Sequence, residues 1–596
     1  MPKDRTESAF RVRVEAAEAA RNREHPKHLA NPDETRFAAA HYPMSFTKGL
    51  KHDTTTGLVA EPAHFEAFRT AIDEGYVEYF TSRVPVPTDP HCERRQWEAP
   101  TAGVVYDLQG PDAQAVTMQP APELGSDELA YEMAEVYELA LLRDVPLTTF
   151  SASGGTDEAK LMTSIGNLND LPYTQTFDGL PRTTEGGVVT MQTAFRGSAP
   201  GAEKGPYLSQ FMVMGNDTLS GRSVEEGYIA FGAQEIDQRV PVAVRNQDHM
   251  QTWEDWLAVQ DGYNVNKAGK GKNIEPCSAG QNFGEDPKRF ITTPRDLATY
   301  VHYDALYQAY LNATLILLGH GAPFDPSFAK LSGMRDMFNP IQKTKVPQNA
   351  GGFALYGGPH ILTLVTEVAT RALKAVRYQK FNNHLRLRPE ALAGRINRAH
   401  EIDGAFASTC GAFGDLKSQL SATLDGIAAH NADCEEGSLL LPMAFAEGSP
   451  MHPAYGAGHA TVAGACTTIV KAFFDCGAVL GRKVTDDKCN HGRIGFFHDV
   501  KDPFYYTVAE DGASLDTNET DCPLTLEGEL NKLAANISIG RNMAGVHYFS
   551  DYYDSLRMGE QIAIGMLEEQ ALCYPTDDFV LSIPTFDGDL VRIGAK

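Results

Sequence analysis

The second half of the chain is dominated by helical periodicity, which limits what it can fold into. From residue 295 onward, apolar residues recur at three- or four-residue steps, as Leu362, Val365 and Val368 do. The pattern predicts helices over residues 295–318, 359–381, 460–480, 531–539 and 553–572. We therefore predict a mainly α protein, a large helical-bundle fold with a few short strands.

The first half has weaker signals. Residues 1–44 form a charged, helix-prone arm that we expect to wrap a neighbouring surface, and residues 125–143 predict an amphipathic helix capped by Ser126. Residues 188–191 and 239–244 indicate short strands or extended loops, and the polar residues 482–526 indicate a loop insert beside the site. We predict helical layers with short strands over residues 1–294 around a bundle over 295–596, with no clear linker, as one compact unit.

The composition narrows the classes of partner. The 596 residues are 42% hydrophobic and 22% charged, which is typical of a globular protein, and the net charge is −26. Such an acidic chain argues against nucleic acid or an anionic membrane as a partner. The polar N-terminus lacks the apolar core of a signal peptide, and no run is long enough to span a membrane. We expect a soluble protein whose compartment stays open.

Three separated blocks hold an unusual concentration of cations, histidines and glycines. They are Lys380 with Arg388-Pro389, His452-Pro453 with Gly456-Ala457-Gly458-His459, and Arg541 with His547 and Asp551. Arginine fits two oxygens of an anion at once, lysine supplies a compact charge, and a glycine at a helix start lets a backbone N–H approach closely. This inventory predicts a site for a tetrahedral oxyanion such as phosphate or vanadate.

The order of these residues resembles a known pattern. Lys–x7–Arg-Pro, then Gly-His, then Arg–x5–His–x3–Asp is similar to the vanadium-dependent haloperoxidases, whose site is shared with type 2 phosphatidic acid phosphatases and bacterial acid phosphatases. The resemblance to the algal-type bromoperoxidase branch covers most of the chain, including residues 45–50, 110–114, 205–210, 365–381, 441–450 and 540–551.

The resemblance implies a role for each residue. His547 would bind vanadate axially as the vanadium ligand, and Asp551 would orient its ring. Lys380, Arg388 and Arg541 would neutralise the equatorial oxygens, assisted by the backbone N–H of Gly458. The catalytic residues would be His459, as acid and base at the apical oxygen, His452, which would tune proton transfer and halide approach, and Lys380, which would polarise a peroxide oxygen.

The resemblance also implies the reaction partners. Hydrogen peroxide and a halide, bromide or iodide, would give hypohalous acid, which would halogenate a small organic acceptor. The cofactor would be vanadate, with a possible divalent cation of unknown position, and the assembly a homodimer or larger homo-oligomer. The glycine-rich loop departs from the pattern: Ala457 stands where the family usually has Ser, and Ala454 stands where it often has Ser. A lost hydrogen bond of this kind costs about 1–3 kcal/mol.

Two other functions stay open from the residues. In an acid phosphatase of the same superfamily, His547 would be the nucleophile and His459 the acid for the leaving group. In a non-catalytic oxyanion-binding protein, Ala457 would mark lost activity. The chain length, the flanking similarity and the additional His452 favour the haloperoxidase.

Overall fold

The structure is a computed structural model that describes most of the chain. The described residues are 5–89, 93–151, 154–176, 178–217, 220–265, 288–327, 331, 337–339, 344–346, 349–484, 492–574 and 579–594. Within these ranges the structure is mainly α-helical, as the sequence predicts, and its strands are short.

The helices of the first half surround those that carry the site. In chain order they are α1 Thr6–Asn22, α2 Asp33–Arg36, α3 Pro62–Glu74, α4 Val77–Ser82, α5 Asp127–Leu141, α6 Glu158–Asn169, α7 Tyr173–Thr176 and α8 Trp253–Gln260. Helix α1 has no buried residue, and whether it wraps a neighbouring surface stays a prediction.

The helices that follow include all those that bear the predicted site. They are α9 Pro294–Tyr303, α10 Gln308–His320, α11 Gly358–Arg377, α12 Pro389–Asn397, α13 Ala399–Ala405, α14 Ala412–Gln419, α15 Ser421–Asn431, α16 Gly458–Phe473, α17 Leu526–Met543 and α18 Phe549–Ala571. A wide π-helical segment, Tyr378–His384, continues α11.

The strands form small antiparallel sheets. They are β1 Tyr228–Phe231, β2 Gln234–Asp237, β3 Met337–Asn339, β4 Thr344–Val346, β5 Val479–Lys483, β6 Ile494–Phe497, β7 Val500–Lys501, β8 Phe504–Val508, β9 Leu515–Glu519, β10 Leu581–Pro584 and β11 Leu590–Ile593. β5 lies between β6 and β7, and the other strands pair as β1–β2, β3–β4, β8–β9 and β10–β11.

Helix α16 is the centre of the bundle. It packs on α11, α17 and α18, and its residues from Ala460 to Phe473 are all buried. The crossing with α18 is close because both helices lack a side chain there. A Cβ atom at Gly464 would lie 1.9 Å from the Leu556 carbonyl oxygen, and one at Gly559 would lie 2.0 Å from that of Thr461. These glycines therefore fix how deeply the two site-bearing helices approach each other.

Several predicted elements differ from the structure. The single helix predicted over 295–318 is wrong, because the chain breaks between α9 and α10 at Asp304. The helix over 125–143 is confirmed as α5, and Ser126 does cap it by accepting a hydrogen bond from the Leu129 N–H (3.1 Å). Its amphipathic interpretation is wrong, since all its residues from Leu129 to Ala140 are buried. A periodic stripe does not reveal that the opposite face is covered as well.

Two further predictions need correction. The helix predicted over 460–480 ends at Phe473, and the chain enters β5 at Val479. The loop predicted over 482–526 is wrong for the part that is described, because strands β6 to β9 lie there, while residues 485–491 lie outside the described residues. The two segments predicted as short strands or extended loops, 188–191 and 239–244, form no strand. Each has an isolated β-bridge, at Val188 and at Val240.

The main hydrophobic cluster runs from Phe37 to Ile593 and draws on both halves of the chain. The division at residues 294 and 295 stays a prediction. None of the helices in the described ranges has both the length and the apolar character needed to cross a lipid bilayer.

Candidate active site

Lys380 lies in the π-helical segment that follows α11, and its ammonium group is completely buried. Nζ donates hydrogen bonds to the carbonyl oxygens of Pro453 (2.6 Å) and Ala454 (3.0 Å). Burial, together with the positive charges of Arg388 and Arg377, holds the pKa of Lys380 well below its ordinary value. The lysine of the first sequence block therefore meets the glycine-rich loop of the second block.

Arg388 joins the second and third blocks. It precedes Pro389, the first residue of α12, so the helix start fixes its backbone. Its Nε donates to the His452 carbonyl oxygen (2.9 Å) and one terminal nitrogen to the Val546 carbonyl oxygen (2.8 Å). The terminal nitrogens also contact the rings of His547 (2.9 Å) and His452 (2.7 Å). Burial lowers the pKa of Arg388 to about 9.

The ring of His547 is held in one tautomer. A guanidinium can only donate, so Nε2 of His547 accepts from Arg388 and carries a lone pair. Nδ1 then bears the proton and donates it to Asp551 Oδ2 (2.7 Å), as the sequence predicts. Burial first, and then the charges of Arg388, Lys380 and Arg541, hold the pKa of His547 well below its ordinary value. A neutral imidazole with an available Nε2 is the form that binds a metal centre.

The sequence interpretation missed Arg386, which forms an ion pair with Asp551 through the carboxylate oxygen that does not contact His547. Arg386 donates to Asp551 Oδ1 (3.0 Å) and to the Ser550 hydroxyl (2.8 Å), and it also pairs with Glu132 of α5. Glu132 in turn accepts from the Ser550 N–H (3.1 Å) and hydroxyl (2.6 Å). The Asp551 charge is thus balanced on the side away from the His547 ring. The repeated basic residues 386 and 388 were a signal in the sequence that could have found this residue.

Arg541 and His459 meet at the C-terminal end of α9. Arg541, near the end of α17, donates to the Val301 carbonyl oxygen (3.0 Å). His459, in the first turn of α16, places Nε2 3.0 Å from Asp304 Oδ1. The break after α9 therefore supplies the carboxylate that orients His459. The prediction of one continuous helix over 295–318 concealed Asp304, and the apolar periodicity of that stretch offered no signal for the break.

Gly458 is the first residue of α16 and Ala457 is its N-cap, without a side-chain cap. A Cβ atom at Gly458 would meet only the tip of Leu373, at 3.8 Å, so the space beside this backbone is open. The Ala457 N–H donates to the Ser555 hydroxyl (2.8 Å). Gly545, between Arg541 and His547, has a φ of +84°, which lets the chain turn back towards the site.

The charges of the site are unbalanced in favour of an anion. Within the described ranges, no carboxylate oxygen lies within 4.0 Å of the cationic nitrogens of Lys380, Arg388 or Arg541, although all three side chains are buried. Carbonyl oxygens satisfy part of their donors, and Nε of Arg541 is buried with no hydrogen-bond partner among the described residues. Buried cations need a counter-charge. These residues therefore fit a vanadate anion, and His547 Nε2, which accepts from Arg388 here, is the candidate ligand atom.

The described residues offer no comparable site for a divalent cation. In the part of the chain that the structure describes, no group of three or more His, Cys, Asp or Glu side chains is suited to hold a metal ion. The position of the additional cation expected from the resemblance stays open.

Fold and site together define a mainly helical oxyanion-binding protein, and the comparisons with known proteins extend this. No family model matches the chain. It is 40% identical, over alignments of 639 residues that cover 99% of this chain and 98% of each relative, to vanadium-dependent bromoperoxidases of Corallina pilulifera and Corallina officinalis. It is 30% identical to the vanadium-dependent bromoperoxidase of Ascophyllum nodosum, over 99% of this chain and 93% of that protein.

A solved structure points to the same family as these sequence relatives. The homohexameric second vanadate-dependent bromoperoxidase of Ascophyllum nodosum matches with a TM-score of 0.77 and 25% identity, over 99% of this chain and 91% of that chain. The chain belongs to the vanadium-dependent bromoperoxidase family. Its predicted class, a vanadate-dependent haloperoxidase with vanadate as cofactor, is confirmed, and the phosphatase alternative is not favoured. The roles of single residues stay predictions.

Proposed function

We propose that the chain oxidises bromide or iodide with hydrogen peroxide at a vanadate held by Lys380, Arg388, Arg541 and His547. The observation that carries this proposal is that, among the described residues, three buried cations lack a carboxylate partner, and one of them, Arg388, donates to Nε2 of His547. When bound, vanadate supplies a Lewis acid that activates peroxide, and the oxidation state of vanadium does not change. The reaction consumes halide, peroxide and one proton, and it releases hypohalous acid and water.

The chain's own residues prepare the anion site. His547 offers Nε2, because Asp551 and Arg386 hold its other nitrogen and its tautomer. Lys380, Arg388 and Arg541 are held by carbonyl oxygens, so their remaining N–H groups point to fixed positions before an anion arrives. Such preorganised donors act strongly in a site that excludes water. The backbone N–H of Gly458, at the start of α16, adds a further donor and the positive end of the helix dipole.

We propose His459 as the general acid and base of the reaction. Its Nε2–H points to Asp304, which leaves Nδ1 as the nitrogen that exchanges a proton with a bound oxygen. Asp304 offsets the effect of burial on the pKa of His459, although burial prevails and the pKa lies below its ordinary value. His459 is therefore neutral near pH 7 and can accept a proton from hydrogen peroxide as it binds.

His452 holds Arg388 rather than the anion directly. Arg388 donates to both its ring Nδ1 (2.7 Å) and its carbonyl oxygen, so Nδ1 is an acceptor and Nε2 carries the proton, and the Pro453 carbonyl oxygen 3.2 Å from Nδ1 receives no hydrogen bond from it. Because burial and the neighbouring charges of Arg377, Lys380 and Arg388 lower its pKa far below the usual value, His452 stays neutral. It thereby fixes the guanidinium without adding another charge beside the path of the halide.

The proposal also includes an organic acceptor and further copies of the chain. The hypohalous acid halogenates a small organic acceptor, which needs no binding pocket of its own if the oxidant leaves the site. The Ascophyllum nodosum neighbour is homohexameric, and we expect this chain to form a homodimer or a larger homo-oligomer as well. Helix α1, which has no buried residue, is a candidate contact in such an assembly.

The function is tested by phenol red bromination with hydrogen peroxide, with and without orthovanadate, beside hydrolysis of nitrophenyl phosphate. We expect bromination that depends on vanadate, and phosphate ester hydrolysis that orthovanadate suppresses if it occurs at all. Hydrolysis without any vanadate-dependent bromination would contradict the proposal and restore the phosphatase.

A further inference from the structure

A carboxylate stands at the solvent side of the cationic pocket. Glu98 is clamped to the loop that carries His452: its N–H donates to the Met451 carbonyl oxygen (3.0 Å), and its Oε1 accepts from the Met451 N–H (3.3 Å). Its Oε2 lies 3.5 Å from Nε2 of His452. The Glu98 side chain nevertheless keeps 42% of its surface exposed. Glu98 therefore lies between bulk solvent and His452, at the edge of the anion site.

Two arginines lie near this carboxylate. Arg95 on the same segment lies 3.8 Å away, and Arg377 at the end of α11 lies 3.9 Å away. Farther in, its negative charge acts on Lys380, Arg388 and Arg541, the three groups assigned to the anion. A negative charge that attracts these cations also repels any anion that approaches them.

We propose that Glu98 is a specificity-determining residue that lowers the affinity of the pocket for anions from solution. This inference rests on the function proposed above. Glu98 leaves neutral hydrogen peroxide unaffected, moderately weakens the binding of singly charged bromide, and most strongly weakens the binding of multiply charged anions such as phosphate. The discrimination is by charge alone, so orthovanadate is also weakened, in proportion to the charge that it carries.

The expected size follows from electrostatics at a partly solvated position. One unit charge several ångströms from the guest changes affinity roughly threefold to tenfold for each negative charge of that guest. The effect should shrink with added salt, because Glu98 is exposed enough for counterions to screen it. Peroxide, which has no charge, provides the internal reference for the same pocket.

The test compares Glu98→Gln with Glu98→Asp in the full-length protein. Binding of inorganic phosphate and of orthovanadate to the vanadate-free protein is measured by calorimetry, and KM for bromide and for peroxide is measured with vanadate bound. We expect Glu98→Gln to bind phosphate about fivefold to thirtyfold more tightly and to lower the bromide KM about threefold, with the peroxide KM unchanged. Glu98→Asp, which keeps the charge, should remain close to the unsubstituted protein.

A matched control is Glu519→Gln, which removes an equal charge from the exposed end of β9 and should change none of these values. Unchanged or weaker phosphate binding in Glu98→Gln would overturn the inference. Weaker binding would mean that Glu98 acts by holding His452 and its loop. If the unsubstituted protein binds neither phosphate nor orthovanadate, the proposed function itself fails, and that result is distinct from a Glu98 substitution without effect.

Discussion

Two buried lysines lie against the same loop of the protein and differ in one respect. Nζ of Lys48 donates to the carbonyl oxygens of Glu447 (3.1 Å) and Ser449 (2.7 Å), and Nζ of Lys380 donates to two carbonyl oxygens a few residues further on. Lys48 also has a carboxylate partner, Glu390, at 2.7 Å. Lys380 has no carboxylate within 4.0 Å in the described ranges.

The difference separates a structural cation from a functional one. The pKa of Lys48 falls only to about 8, because Glu390 offsets part of the effect of burial. The pKa of Lys380 falls much further, since burial adds to repulsion from Arg388 and Arg377. A buried pair satisfies itself, whereas a buried cation supported by carbonyl oxygens alone is costly until an anion enters. Of these two lysines, Lys380 is therefore the one that still needs a negative charge from a bound anion.

The largest expected effect comes from a comparison of two histidine–carboxylate pairs. His547→Ala should lower vanadate-dependent bromination by at least about a thousandfold, because it removes the ligand atom that we propose for the anion site. The control is His498→Ala, since His498 also lies 2.9 Å from a carboxylate, Asp475, but is 54% exposed. Steady-state bromination rates measure both variants. Equal activity in the two would contradict the assignment of His547.

Matched substitutions of the two lysines test whether Lys48 is structural and Lys380 is functional. Lys48→Met should lower the free energy of unfolding by about 3–5 kcal/mol, because it leaves Glu390 buried without its partner. Lys380→Met should leave the stability of the anion-free protein unchanged or raise it by up to about 2 kcal/mol. It should weaken orthovanadate binding at least tenfold. Urea unfolding and calorimetry give these values, and a large loss of stability in Lys380→Met would show that Lys380 is structural.

A pH experiment sharpens the same comparison. In the anion-free protein Lys380 gives up its proton at a lower pH than usual, and a bound anion raises its pKa again. Between those two pKa values, phosphate binding should take up a proton, so affinity should fall as pH rises, by at most about tenfold per pH unit. Calorimetry in buffers with different heats of ionisation measures this uptake. Lys380→Met should lose it, and an uptake that survives in this variant would have another source.

The sequence contained most of the site but not its supports. Lys380, Arg388, Arg541 and His547 could be found because their types and spacings form short patterns of cations, histidines and glycines, and the structure brings them together. Asp304 and Arg386 were missed, since a helix break and a charge buried under the site leave no local pattern. Periodicity located α11 and α18, but it could not show that α5 is buried on all sides, because that depends on contacts with distant segments.

The smallest expected effect concerns Ala457. Ala457→Ser adds a hydroxyl at the N-cap of α16, where an orphan N–H or a bound oxyanion can use it. Orthovanadate affinity should rise about fivefold, which corresponds to about 1 kcal/mol. Ala460→Ser, placed inside the same helix, serves as the control and should not improve affinity. Unchanged affinity in Ala457→Ser would mean that the added hydroxyl does not reach the anion.

The most direct test of the central claim is a crystal structure of the protein soaked with orthovanadate. The claim is that buried cations without carboxylate partners await a tetrahedral anion. The predicted result is a vanadate within coordinate-bond distance of His547 Nε2, with Lys380, Arg388 and Arg541 hydrogen-bonded to its oxygens. A vanadate bound elsewhere, with Arg388 still donating to His547 Nε2, would contradict it.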